Sequence, residues 1–116
     1  MRPARLLSLV LLAACAACTS PSPNTAVPRE TARVRLPPDQ AAACFARNAE
    51  EHSSALVAEV RPGGDRAHVE VRVKNGVLYG TADFRRAGTG STATLELNVT
   101  TNRQRGELVD SLLEGC

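Results

Sequence analysis

Aromatic side chains are nearly missing from this chain of 116 residues, which has no Trp, one Tyr, two Phe and a single Met. Any core it builds must rest on aliphatic groups, and only 18 large apolar side chains lie in residues 39–116. A core of that size is marginal on its own. Long apolar runs are missing too: the longest, Leu6 to Cys18, has 13 residues including one Ser. A membrane-spanning helix needs about 20. Nor is there strong charge of one sign, with 14 Lys and Arg against 12 Asp and Glu. Residues 39–116 hold 9 basic and 11 acidic side chains, so the basic excess precedes the segment expected to fold. A nucleic-acid module carries its positive charge on the folded surface, so no nucleic-acid partner is expected. Gly88-Thr89-Gly90 reads as a turn, since a phosphate-binding loop needs a longer glycine pattern opening a helix. Cys44, Cys116 and His52 show no metal-ligand spacing, and no cofactor is expected.

What is present begins with an address. Met1-Arg2-Pro3-Ala4-Arg5 is a short positive segment, followed by the apolar Leu6–Leu12 and then small residues. That order is a secretory signal and lies outside fold reasoning. Leu12-Ala13-Ala14-Cys15 resembles the lipobox of bacterial lipoproteins: an aliphatic residue, two small residues, then Cys. The resemblance covers the first 15 residues only. It implies that the Cys15 thiol receives a diacylglyceryl group, that residues 1–14 are removed, and that the new N-terminus is acylated. Several acyl chains on one residue anchor a protein stably where one would be marginal. Cys18 is the alternative, because Ala16-Ala17-Cys18 also sets small residues before a Cys, although Cys15 then occupies the aliphatic position. Ala16 after Cys15, or Thr19 after Cys18, is not Asp, which in Gram-negative lipoproteins implies the outer membrane. The same residues spell C-x-x-C, but without the βαβ setting of a redox site.

Residues 15–38 are rich in Pro, Ser and Thr without apolar periodicity, and are expected to be a flexible tether. A single domain is expected over 39–116. Asp39 is a candidate N-cap for an alanine-rich helix running to Glu51, with Ala41, Ala42, Phe45 and Ala49 on one face. Alternating runs follow at 55–61, 67–74, 77–84 and 92–100. Asn75-Gly76 suggests a two-residue hairpin with φ > 0 at both positions. It would pair Val73 with Leu78, Val71 with Gly80, Val69 with Ala82 and Ala67 with Phe84, all apolar or small. Thr101 and Gln104 fit a capping box for a second helix, whose stripe is Leu108, Val109, Leu112 and Leu113, ended by Gly115. The expected fold is α+β, in the order α-β-β-β-β-α: a four-stranded antiparallel meander with both helices on one face.

In an exported chain Cys44 and Cys116 should form a disulfide, tying the two helices together. On the polar sheet face His68 and Asp83 should be cross-strand neighbours, with Tyr79 nearby. Such a pair can orient a general base, although no Ser or Cys stands beside it as nucleophile. Two readings follow. One is a non-enzymatic binding or envelope-assembly module, anchored to the outer membrane and facing the periplasm. It would meet a protein partner through its polar sheet face or through the first or fourth strand at an edge. The alternative is a small periplasmic enzyme or ligand carrier using the face around His68 and Asp83. Mass spectrometry of the mature N-terminal peptide is expected to show a lipidated peptide beginning at Cys15; one beginning at Cys18 would overturn that assignment.

Overall fold

The alanine-rich stretch after Pro37 folds as expected, because alanine costs little to order in a helix and Pro38 suits its first turn. The computed structural model of the chain describes residues 28–99 and 101–116. The expected signal segment and the two candidate lipidation sites, Cys15 and Cys18, lie outside the described residues. In chain order the elements are β1 (Arg29–Val34), α1 (Pro38–His52), β2 (Leu56–Arg61), β3 (Arg66–Val73), β4 (Leu78–Ala87), β5 (Gly90–Leu97) and α2 (Asn102–Leu112). All neighbouring strands are antiparallel, in the order β1-β5-β4-β3-β2.

The fold is therefore α+β, with five strands instead of four. The extra strand, β1, comes from the stretch expected to be tether. Its alternation is weak but present: Ala32, Val34 and Leu36 are half-buried against the core, while Thr31, Arg33 and Arg35 are exposed. Beside β1 lies Gly90, where a Cβ would collide with the carbonyl of Val34. β1 covers the edge of β5, so the expected fourth strand is interior, and the exposed edges are β1 and β2.

One face of the sheet and both helices form one core. Ala41, Ala42, Phe45 and Ala49 are fully buried, as are Val69, Ala82, Phe84, Ala93 and Leu95. The only two Phe side chains of the chain meet edge to face, Phe45 of α1 on Phe84 of β4, with centroids 5.8 Å apart. Such a pair adds about 1 kcal/mol to its burial. Two local expectations are corrected. Asp39 does not cap α1: Pro37 is the N-cap residue, and the Asp39 carboxylate accepts the amides of Gly63 and Gly64 at 3.0 and 3.1 Å. It thereby fastens the β2–β3 turn to the start of the helix. The β3–β4 turn is not a two-residue hairpin, because Gly76 has φ +97° while Asn75 stays at negative φ. The Gly76 amide donates to the Val73 carbonyl at 2.7 Å, and the Val73 amide to Val77 at 2.8 Å. This longer turn pairs Arg72 with Leu78, and a bulge at Tyr79 restores the expected register from Val71–Gly80 onward. The Thr101 hydroxyl does cap α2, accepting the Gln104 amide at 3.1 Å.

The C-terminus is fixed from three sides. Cys116 is bonded to Cys44 of α1, the Cys116 carbonyl accepts the Leu36 amide at 2.9 Å, and Asn48 of α1 donates to the carbonyls of Leu112 and Glu114, both at 2.9 Å. Asn48 thus satisfies carbonyls that the end of α2 leaves open. The disulfide closes a loop 72 residues apart, which the chain-entropy account values at about 4 kcal/mol. Urea unfolding of the Cys116→Ser variant is expected to show a loss of that order; a loss under about 1 kcal/mol would remove the clasp from the account of stability.

Candidate functional site

With both helices on one side, the other face of the sheet is uncovered among the described residues. Strand alternation sets polar side chains there in cross-strand rows. One row runs Arg61, His68, Asp83, Thr94 and Thr31 across β2, β3, β4, β5 and β1. Next to it run Glu59, Glu70, Thr81, Glu96 and Arg29. On the other side run Arg66, Arg85, Thr92 and Arg33.

His68 and Asp83 are neighbours as expected, with His68 Nδ1 2.9 Å from Asp83 Oδ1. The imidazole's other nitrogen, Nε2, faces Glu70 Oε1 at 3.8 Å, where a catalytic dyad would hold its nucleophile. Glu70 is itself approached by Arg72 at 3.2 Å and Arg61 at 3.9 Å. The pair is one link in a half-exposed ion-pair network spanning β2, β3 and β4. Each such contact contributes little to stability, but the network orients the side chains of the central strands.

Tyr79 does not belong to this face, and its expected placement beside His68 and Asp83 is corrected. The bulge turns it to the helix side, where it packs against the core and lines a cleft of about 380 Å³ with His52, Val99 and Leu108. Burial raises its phenol pKa. Cys44 and Cys116 are joined, as expected. Among the described residues no group of three His, Cys, Asp or Glu side chains could hold a metal ion. No described helix is long and apolar enough to cross a membrane.

The row Arg66, Arg85, Thr92, Arg33 escaped sequence reasoning. Arg33 falls in the presumed tether and Arg85 in a presumed turn, whereas β4 continues to Ala87. The available signal was continued alternation past Phe84. Arg66 and Arg85 are directly opposite each other, a like-charge pairing that costs stability. None of the three arginines has an ion-pair partner among the described residues. Their nearest acidic groups are engaged: Asp83 with His68, Glu96 with Arg29 at 2.6 Å, and Asp65 with Arg86 at 2.7 Å. A shallow cavity of about 460 Å³ lies over Arg66, Arg85, Thr92 and Thr94, with the Arg29–Glu96 pair and Asp83 on its wall. Guanidinium forks flanked by threonine hydroxyls suit an oxyanion, phosphate or carboxylate, better than any neutral group.

Compared with protein-family models, with curated proteins and with solved structures, the chain shows no match. Its site is therefore read from its own chemistry.

Tyr79 is the chain's single tyrosine, so absorbance titration reads it alone. The midpoint is expected above the ordinary value of about 10, falling back to that value in denaturant. The folded state keeps the phenol protonated where the unfolded chain ionises it. The stability this confers is therefore full below about pH 10 and is lost as pH rises through the folded value. A native midpoint equal to the denatured one would place Tyr79 in solvent.

Proposed function

We propose that this protein is a lipid-anchored lipoprotein of the bacterial outer membrane, facing the periplasm, and that it works as a non-enzymatic binding module. Its binding surface is the uncovered sheet face, and its ligand or envelope partner presents an anionic group to Arg66, Arg85 and Arg33. The observation that supports this most directly is the facing pair Arg66 and Arg85, held opposite each other with no ion-pair partner among the described residues. A sheet that needed only to fold would be more stable with a neutral or acidic residue at one of those positions. A bound oxyanion would offset the repulsion and convert two preoriented forks into a clamp. The lipobox supports the location, and the one-sided placement of both helices supports the face.

Nuclear magnetic resonance of the guanidinium Nε–H groups tests the site, with inorganic phosphate and citrate as probes. The signals of Arg66, Arg85 and Arg33 are expected to shift together on titration, while that of Arg47 on α1 stays still. Arg85→Thr should abolish the shift and at the same time stabilise the free domain by about 0.2–1 kcal/mol. Loss of stability in that variant, with no shift in the parent, would reduce the row to a structural feature.

A further inference from the structure

The sheet has two unlike ends. At one end lie the start of β1, the end of β5, the β3–β4 turn and the start of β2. At the other lie the β2–β3 turn, the β4–β5 turn and the start of α1, with Asp39, Asp65, Arg66, Arg85 and Arg86. Among the described residues the exposed large apolar side chains are Val57, Val77 and Leu78, at 47%, 59% and 37% exposure. All three sit at the first end. Val57, Arg72 and Leu78 are neighbours across β2, β3 and β4, and Val77 follows Gly76 at the turn. Lys74 stands in the same turn, and Arg72 donates to the Gly76 carbonyl at 3.1 Å. This end is therefore apolar at its tip with Lys74 beside it, while Arg72 is ion-paired with Glu70 and the next row back carries Glu59, Glu70 and Glu96.

The chain also joins the sheet at this end. Arg29 opens β1, paired with Glu96 near the end of β5. Thirteen residues lie between Cys15 and Arg29, and the chain from one to the other spans at most about 50 Å even fully extended. The segment that would carry the anchor therefore enters the sheet at this end, and the opposite end lies a strand length farther from it.

We infer that the β3–β4 turn, with Val77, Leu78 and Val57, is a membrane-docking tip that inserts among the headgroups of an anionic bilayer, with Lys74 at the phosphate level. The chemistry is that of an interfacial anchor: a small apolar surface enters the headgroup–acyl boundary while flanking cations meet lipid phosphates. Docking sets the domain's orientation. It turns the Arg66 and Arg85 end away from the membrane, toward the periplasm. The inference rests on the proposed lipid anchor.

The chain has no Trp, so one introduced indole is an unambiguous reporter. Lipidated full-length protein carrying Val77→Trp, and separately Thr89→Trp at the opposite end, is reconstituted in vesicles of phosphatidylethanolamine and phosphatidylglycerol with brominated acyl chains. The V77W emission is expected to shift to shorter wavelength and to be quenched by the bromines, while T89W emission stays unshifted and unquenched. Adding Lys74→Glu should weaken the V77W quenching in these vesicles and leave it unchanged in vesicles without phosphatidylglycerol. Equal behaviour of the V77W and T89W chains, both floating with the vesicles, would overturn the docking tip while leaving the anchor intact. A chain that carries no acyl mass and fails to float would instead overturn the anchor.

Discussion

The clasp around Cys116 is the constraint on which the rest of the structure depends. A chain with three aromatic residues builds its core from alanine, valine and leucine, and such a core leaves little margin against conformational entropy. The last residue is therefore held by covalent and polar bonds. The disulfide joins it to α1, the Leu36 amide joins it to the connection between β1 and α1, and Asn48 ties the carbonyls before it to the same helix. These links meet where β1, α1 and α2 converge. Without them α2 would rest on Leu108, Val109 and Leu112, the partly buried Leu113 and the bond from Arg105 to the Val99 carbonyl.

Placing the clasp within the helix layer leaves the opposite face free. Five strands then present rows of charge that no helix covers, and the rows differ. The central two carry interlocked ion pairs around His68 and Glu70. The outer one carries Arg66, Arg85 and Arg33 without ion-pair partners among the described residues. Incorporating β1 also redistributes charge. Of the 14 basic residues only Arg2 and Arg5 precede the described segment, so the described residues balance 12 basic against 12 acidic side chains. The cations assigned to a tether, Arg29 and Arg33, stand on the uncovered sheet face instead.

Local rules made much of the fold legible. Ala41, Ala42, Phe45 and Ala49 define the buried stripe of α1 because a 3.6-residue period leaves little choice. The alternation Ala67-Val69-Val71 against Gly80-Ala82-Phe84 set the β3–β4 register, since a slip of one residue would expose every apolar side chain. That constraint outweighed the turn: the loop at Asn75-Gly76 took a longer form, and the bulge at Tyr79 absorbed the difference. The register survived and the face of Tyr79 did not, because a bulge inverts the alternation locally. β1 was hidden for another reason. Its residues alternate weakly between polar and small apolar groups, so its stability as a strand comes from pairing with β5 and from the space left by Gly90.

By itself the sequence determined the two helices, four of the strands, the pairing of His68 with Asp83 and the partnership of Cys44 with Cys116. Each rests on a short-range pattern or on the count of cysteines, which local chemistry suffices to read. Only the tertiary structure decided that a fifth strand closes the sheet, that Asp39 serves a distant turn, and that Tyr79 lies among the helices. It alone brought Arg33 into line with Arg66 and Arg85 and gathered Val57, Val77 and Leu78 at one end. Those juxtapositions join residues up to 52 positions apart in the chain. Strand pairing and burial create them, and no local signal encodes which distant side chains will share a row.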